Sequence, residues 1–265
     1  MANHRVVVPL YPGIQPLDVV GPHEVLVGAN QGADHLGRSG PRYAIELVAA
    51  GPGPVTGESG LSLHAGPLPD PTEPIGTLLL PGGDAARATA TSDVDLVDWI
   101  RTAAHHSRRV ATVCSGTFLA AAAGLCDGKR VTTHWSRAGQ LATDCPSAIV
   151  EPDAIYVRDG DLWTSAGVTA GIDLGLALAE EDLGADVAQL VARHLVVPLR
   201  RAGGQSQFAT PVWSDPPGPG PIRHAQELIH RDPGADLGVE ALAAAVGLSP
   251  RHFTRLFRQQ VGEPP

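Results

Sequence analysis

The sequence predicts an α/β fold, a parallel sheet covered by helices, followed by a small all-α unit. Over the first two hundred residues, short apolar runs alternate with amphipathic stretches, a pattern typical of a parallel sheet with crossover helices. Beyond a proline-rich stretch, only short amphipathic segments follow. With 265 residues, 43% of them apolar and 18% charged, the chain has the composition of a folded protein and can bury its own core.

The strands and helices of the α/β part are predicted from these runs in chain order. Apolar runs predict strands at residues 5–10, 43–50, 77–80 and 109–113, and a hairpin over 154–165 that turns at Asp159 and Gly160. Apolar residues at helical spacing predict helices at 15–29, 92–106, 117–124, 170–182 and 185–200. The apolar stretches 170–178 and 187–199 of the last two helices are also candidates for a dimer interface.

Composition excludes several classes of protein. The longest uncharged stretch, residues 110–126, is shorter than the ~20 apolar residues that a membrane span needs. No signal-like segment precedes the first strand, so we expect a cytoplasmic protein without membrane contact. The three cysteines form no disulfide framework, and the eleven histidines show no ligand spacing. We therefore expect reduced thiols, no metal and no cofactor.

A change of composition divides the chain. Residues 215–221 consist almost entirely of proline and glycine, which favours an extended linker. The formal net charge of −9 belongs to the part before this linker, because residues 221–265 contain equal numbers of acidic and basic side chains. We predict an α/β domain at 1–202, a linker at 203–220 and a helix-turn-helix unit at 221–265.

Cys114 lies between an apolar strand and a helix of small residues. The stretch Val113-Cys114-Ser115-Gly116 resembles the nucleophile turn G-x-S-x-G, with cysteine in place of serine. Such a turn raises the side chain above the sheet, and the amino end of the following helix is expected to lower the pKa of the thiol. A cysteine here is equally consistent with a small buried apolar side chain. The stretch alone leaves both interpretations open.

Six short blocks in order carry a family resemblance. They are residues 11–13, 16–25, 80–83, 113–116, 131–135 and 164–167. Together they resemble the PfpI/ThiJ superfamily, the class I glutamine amidotransferase-like proteins, over residues 5–200. The resemblance implies a flavodoxin-like sandwich whose parallel sheet carries a cysteine at the nucleophile elbow.

The resemblance also implies roles for individual residues. Cys114 becomes the elbow cysteine, catalytic or sensing, and Asp18 the acid that faces its sulfur. The backbone N–H groups of Gly83 and Ser115 become donors of an oxyanion hole, and His134 matches a histidine found near the cysteine in several members. From the residues alone, Asp18 also fits a helix amino-cap, and His134 a structural residue held by hydrogen bonds.

The same blocks favour some activities over others. Peptidase members of the superfamily have a histidine directly after the cysteine, where this chain has Ser115. Isonitrile hydratases are more similar, because they share the Leu-Asp-x-x-Gly-Pro helix and the Cys-x-Gly elbow.

The last segment predicts a DNA-binding motif. Helices are predicted at 222–231, 239–246 and 250–261, with Ser249 as an amino-cap and a short glycine-containing turn between the last two, which is helix-turn-helix geometry. In the last helix, Phe253, Leu256 and Phe257 are predicted to face inward and His252 to pack against the neighbouring helix. The positions predicted to face outward are Arg251, Thr254, Arg255 and Arg258. Their side chains would either contact phosphates and guanines of DNA or form a solvated helix face.

Residues 242–258 resemble the first helix-turn-helix of the AraC family. A PfpI-like domain followed by an AraC-like reader is the order of GlxA-like transcriptional regulators, in which the cysteine domain senses or dimerises. An AraC-type reader has a second helix-turn-helix, so we expect a truncated reader or a homodimer that supplies the second motif.

Three interpretations follow. The first is a regulator with DNA as partner, whose PfpI-like domain dimerises and senses a small molecule or oxidant at Cys114. The second is a cysteine-dependent hydratase or hydrolase similar to isonitrile hydratases, using Cys114 with Asp18. The third is a structural dimer domain with neither activity.

Overall fold

A computed structural model describes residues 4–201, 203–207, 220–231, 235, 237–261 and 265. These residues divide into two compact units, Met1–Gln207 and Phe208–Pro265. Of the predicted linker, only 203–207 and 220 belong to the described residues. Residues 203–207 fall within the first unit, where the side chain of Gln205 is buried and donates hydrogen bonds to the carbonyls of Thr133 and Ala154.

The first unit alternates strands and helices, as the sequence predicts. Its described strands are β1 (His4–Pro9), β2 (Tyr43–Ala49), β3 (Gly53–Thr56), β4 (Ser62–Pro67), β5 (Thr77–Leu80), β6 (Val110–Val113), β7 (Arg130–Val131), β8 (Ile149–Val150), β9 (Tyr156–Asp159) and β10 (Leu162–Ser165). Its described α-helices are α1 (Pro16–His35), α2 (Ala86–Ser92), α3 (Val94–His105), α4 (Thr117–Ala122), α5 (Ala138–Asp144), α6 (Ala170–Leu183) and α7 (Ala185–His194).

Eight of the strands form one mostly parallel sheet in the order β3-β4-β2-β1-β5-β6-β10-β9. The outermost pairs, β3 with β4 and β9 with β10, are antiparallel. Strands β7 and β8 form a separate parallel pair. The predicted fold class, a flavodoxin-like parallel sheet flanked by helices, is confirmed. Because parallel strands place their carboxyl ends at one edge, β1, β5, β6 and β10 all deliver their following loops to the same side.

Several boundaries differ from the prediction for local reasons. Helix α1 continues to His35 because Ala29 and Ala33 extend its buried face. Helix α3 begins at Val94 because Asp93 caps it, with Oδ1 accepting from the N–H of Leu96 at 3.0 Å. Helix α7 ends at His194, since the chain turns at Val196, whose φ is +58°.

Helices α6 and α7 pack inside the first unit. The buried side chains of α6 include Leu174, Leu176 and Leu178, and those of α7 include Val187 and Val191. They belong to the same apolar core as α1 and the central strands. These side chains therefore pack in the core of the first unit, and the candidacy of the two helices for a dimer interface stays a prediction.

The second unit contains three described helices, α8 (Pro221–Arg231), α9 (Val239–Ala245) and α10 (Pro250–Val261). They enclose a small core of their own, formed by Ile222, Ala225, Leu242, Ala243, Phe253 and Phe257. The predicted cap of α10 is confirmed, because Ser249 Oγ accepts from the N–H of His252 at 3.3 Å. In the described parts of both units, none of the helices combines the length and apolarity that crossing a bilayer requires.

Candidate functional site

Cys114 stands at a sharp bend after β6. Its φ is +57°, a left-handed conformation that non-glycine residues rarely adopt. A short 3₁₀ turn, Cys114–Gly116, follows and leads into α4. The hydroxyl of Thr133 donates to the carbonyl oxygen of Cys114 at 2.8 Å and holds the bend from the neighbouring loop. The predicted elbow is confirmed as a backbone geometry.

Gly167 fixes the bend by close packing. A Cβ added at Gly167, whose φ is +104°, would lie 2.1 Å from the Cβ of Cys114. Behind the bend, a Cβ at Gly116 would lie 2.2 Å from the carbonyl oxygen of Leu80. Both positions need glycine because backbone approaches them on the side where a side chain would stand. The bend is therefore held on both sides, which allows the strained conformation of Cys114 to persist.

Asp18 lies in the first turn of α1 and is completely buried. Its Oδ2 accepts from the N–H of Gly82 at 3.0 Å, and its Oδ1 accepts from the N–H of Val168 at 2.9 Å. The amino-cap of α1 is Gln15, whose side chain accepts from the N–H of Leu17, so Asp18 is not the cap. Burial raises the pKa of Asp18 to about 7, against the lowering effect of the two backbone hydrogen bonds.

The thiol of Cys114 is buried and protonated. Only 9% of the residue is exposed, and burial raises the pKa of the thiol to about 12, with the charge of Asp18 as the second cause. Hydrogen bonding from Ser115 opposes this rise but does not overcome it. The expected lowering of the thiol pKa is therefore wrong. The physical reason is that α4 has only six residues and begins after the 3₁₀ turn, so its dipole is small while desolvation is large.

One of the two predicted oxyanion donors, the N–H of Gly83, is already engaged. The N–H of Gly83 donates to Ser115 Oγ at 2.9 Å, and the same hydroxyl donates to the carbonyl oxygen of Gly83 at 2.8 Å. The hydroxyl of Ser115 therefore stands where the resemblance places a substrate oxygen. A ligand that binds the Gly83 N–H has to displace this hydroxyl first.

A cavity of about 150 Å³ opens above the elbow. Its lining residues are Gln15, Glu58, Gly83, Asp84, Cys114, Ser115, His134, Ser136, Arg137 and Val168. The fold thus brings Cys114, Ser115, Gly83 and His134 to one cavity. The Asp18 carboxyl does not line this cavity, and its hydrogen bonds go to backbone N–H groups and not to the Cys114 sulfur. The volume is smaller than that of most pockets for drug-sized ligands, so it suits a molecule of a few non-hydrogen atoms.

His134 lines the cavity and is also held by its neighbours. Its Nδ1 lies 2.7 Å from Ser136 Oγ, and its ring lies against Trp135 with 5.3 Å between ring centroids. Burial lowers the pKa of His134, and the charge of Arg137 lowers it further. The imidazole is therefore neutral at pH 7. Both sequence-based interpretations fit it, since it is a hydrogen-bonded residue that faces the cavity.

Glu58 was not predicted as a site residue. It lies in the loop between β3 and β4, two short strands that the apolar pattern did not indicate. Its Oε1 accepts from Gln15 Nε2 at 2.6 Å, and its Oε2 accepts from the N–H of Asp84 at 2.7 Å. These bonds join three separate loops, and no pattern in the local sequence around Glu58 predicts them.

In the second unit, α10 presents a basic surface, which we define as Arg251, Thr254, Arg255 and Arg258. The three arginines are exposed and Thr254 is half-buried, while Phe253 and Phe257 on the opposite face are buried. Within the described residues, these arginines have no carboxylate at ion-pair distance. His252 is exposed, so the prediction that it packs inward is wrong; its position on α10 points it away from the Phe253 face.

Comparison with known proteins gives three informative similarities. The DJ-1/PfpI family model matches residues 4–181. An isonitrile hydratase of Pseudomonas putida is 39% identical over 186 residues, 70% of this chain and 75% of that protein. The HTH-type transcriptional regulator GlxA of Rhizobium meliloti (strain 1021) is 30% identical over 234 residues, 84% of this chain and 68% of that protein. A coverage of 84% exceeds the first unit, which ends at Gln207, so this alignment extends into the second unit.

A solved structure supports the same fold. The crystal structure of a THiJ/PfpI family protein from Pseudomonas syringae superposes with a TM-score of 0.64 at 28% sequence identity. The match covers 87% of this chain and 88% of that one.

The protonated thiol predicts slow alkylation. Iodoacetamide should modify Cys114 slowly at neutral pH, because only the thiolate reacts and a pKa of about 12 leaves little thiolate. The rate of modification should rise with pH as more thiolate forms. The rise should be less steep around pH 7, because Asp18 ionises near pH 7 and its negative charge raises the pKa of the thiol. Asp18→Asn should remove this shallow interval and raise the rate above pH 8 by about tenfold.

The measurement is the initial rate of modification of the Cys114 peptide by mass spectrometry, which separates it from Cys126 and Cys145. Asp173→Asn, a change at another buried carboxyl outside this cavity, serves as the control and should leave the profile unchanged. A rate that has already reached its plateau at pH 7 would contradict the assignment of a protonated thiol.

Proposed function

The chain belongs to the DJ-1/PfpI family, and we propose that it is a transcriptional regulator of the GlxA-like, AraC type. The proteins it is similar to include both a regulator and an enzyme. In this proposal the family domain dimerises and responds to a small molecule at Cys114, and the second unit binds DNA in the cytoplasm. The predicted division into an α/β domain at 1–202, a linker and a reader at 221–265 is part of the proposal.

The basic surface of α10 is the observation that carries this proposal. A helix is suited to lie in the major groove when it has three exposed arginines on one face, here without an ion-pair partner among the described residues, and two buried phenylalanines on the other. Arginines in this position contact phosphates and guanine edges. The alignment with a transcriptional regulator also extends beyond the first unit.

A homodimer follows from the small number of contacts. One helix-turn-helix with three arginines neutralises few phosphates, and the affinity for DNA falls with salt in proportion to that number. Two copies bound to adjacent half-sites double the contacts. We propose that the DJ-1/PfpI domain supplies the dimer contact.

At the sensing site, the geometry favours a small molecule over an oxidant. Oxidation of cysteine begins from the thiolate, and the buried thiol of Cys114 is protonated at neutral pH. A small molecule that enters the cavity can contact the thiol, the Ser115 hydroxyl and the imidazole of His134 without any prior ionisation. Displacing the hydroxyl of Ser115 from Gly83 would then change the packing of the elbow.

Binding to DNA is tested by selection from a library of duplexes with random cores, followed by affinity measurement on the enriched sequence. Arg255→Ala should weaken binding by about 5- to 100-fold, the range expected for loss of one guanine contact. The matched control is Arg223→Ala on α8, an exposed arginine paired with Glu227 outside the basic surface, which should change binding little. Failure of the full chain to enrich any sequence would contradict the regulator proposal.

An enzyme is the second candidate, and the cavity favours it because it is lined by a thiol whose pKa responds to the charge of the buried Asp18. In an isonitrile hydration, the sulfur of Cys114 would bond to the terminal carbon of the isonitrile while its proton passes to Asp18. The protonated Asp18 would give that proton to the same carbon. Water would then add across the C=N bond of the resulting thioimidate, its hydroxyl to carbon and a proton to nitrogen. The C–S bond would break as the hydroxyl proton passes to sulfur, and an N-substituted formamide would leave.

The enzyme candidate predicts turnover that depends on both groups. With a small alkyl isonitrile, formamide production measured by liquid chromatography and mass spectrometry should fall at least about 100-fold in Cys114→Ala and in Asp18→Asn. Cys145→Ala, at a buried cysteine outside the cavity, should keep its activity. Equal formamide production by wild type and Cys114→Ala would exclude this candidate.

A further inference from the structure

The charges around the cavity are unequal. Glu58 reaches it from the loop between β3 and β4, and both of its carboxylate oxygens are held in place by Gln15 Nε2 and the N–H of Asp84. Neither partner carries a positive charge. Within the described part of the chain, no cationic side chain forms an ion pair with Glu58.

The other charged groups at the cavity largely cancel. Asp84 pairs with Arg137, whose guanidinium lies 3.1 Å from Asp84 Oδ1. His134 is neutral at pH 7, because burial and then Arg137 lower its pKa. Asp18 is buried and does not line the cavity. Its carboxyl is partly ionised near pH 7 and adds negative charge as the pH rises. The net charge that a ligand meets is therefore negative, and Glu58 supplies the fixed part of it.

The influence of Glu58 extends to the sulfur. Its charge is the smallest of the causes that raise the pKa of Asp18 and Cys114, as expected of a carboxylate that reaches the same cavity from an exposed loop. A cation entering this space is attracted and an anion of equal size is repelled. Because Glu58 and several other lining residues are exposed, salt screens this difference, and it is largest at low ionic strength.

We propose that the Cys114 cavity selects small neutral or cationic molecules against anionic ones, and that Glu58 is the residue that sets this selectivity. The proposal rests on the proposed function of the cavity as a ligand site. It names the ligand class as a molecule of a few non-hydrogen atoms whose end nearest Glu58 is an ammonium or an uncharged hydrogen-bond donor, and it excludes carboxylates and phosphates.

The test uses three thiol reagents that differ in charge, the 2-aminoethyl, 2-sulfonatoethyl and methyl methanethiosulfonates. In each case the thiolate of Cys114 attacks the sulfenyl sulfur, a disulfide forms and methanesulfinate leaves. Rates are measured on the Cys114 peptide of the intact chain at pH 8 and low ionic strength, and each is divided by the rate for the chain unfolded in urea. We expect the cationic reagent to exceed the anionic one on the order of tenfold.

Glu58→Gln should reduce this ratio to nearly one while keeping a side chain that can accept a hydrogen bond. The ratio is informative because any change in the pKa of the thiol alters the rates of all three reagents equally. Glu24→Gln, at an exposed glutamate on α1 that does not line the cavity, is the matched control and should preserve the ratio. High salt should lower the ratio in the wild type, which tests the charge effect without any substitution.

The outcomes separate the two proposals. If Cys114 reacts with none of the three reagents even as the pH is raised toward the pKa of its thiol, the cavity is closed to small molecules and the proposed sensing function is overturned. If Cys114 reacts but the cationic and anionic rates are equal, or if the ratio is unchanged in Glu58→Gln, the selectivity proposal is overturned while the sensing function stands.

Discussion

The close approach of Gly167 to the Cys114 backbone is the constraint on which the site depends. No side chain fits between them, and both Cys114 and Val168, the residue after Gly167, adopt positive φ. Strained backbone of this kind persists only where the surrounding structure enforces it, and it concentrates at functional sites. Here it directs the N–H of Val168 to Asp18, and it leaves the sulfur buried and close enough to this carboxyl for the charge of Asp18 to raise the pKa of the thiol.

Desolvation then decides the chemistry of the pair. Two backbone N–H groups stabilise the charged form of Asp18, yet burial still raises its pKa from 3.8 to about 7. The contribution of Asp18 to the stability of the fold is therefore greatest below pH 3.8, where its carboxyl is protonated in both the folded and the unfolded state. This contribution is lost as the pH rises to about 7, with a total of roughly 4 kcal/mol. At neutral pH the pair keeps the thiol proton and part of the carboxyl proton, which suits a ligand site or a proton relay better than a reactive thiolate.

The sequence predicted the positions of the central strands and of the elbow better than it predicted the ionisation and the charged residues of the site. Apolar runs located the central strands, and the Val113-Cys114-Ser115-Gly116 stretch located the elbow, because both are local patterns. The shift in the pKa of the Cys114 thiol was predicted in the wrong direction. Its two main causes are the burial of the thiol and the charge of Asp18, and both depend on segments that are distant in the sequence. Glu58 was missed because its loop joins two short strands, and its place at the cavity depends on bonds to Gln15 and Asp84. In the second unit, the buried positions Phe253 and Phe257 followed from helical spacing, whereas the exposure of His252 did not.

The most direct test of this account is the ionisation of Asp18 in the folded chain. Its side-chain carboxyl can be followed by ¹³C NMR through a pH titration, with Asp18→Asn to assign the signal. The account predicts a midpoint of about 7, and a second small shift at the alkaline pH where Cys114 ionises. A single midpoint near the ordinary value of about 4 would show that the carboxyl is hydrated, and would contradict the burial of Asp18 that raises its pKa.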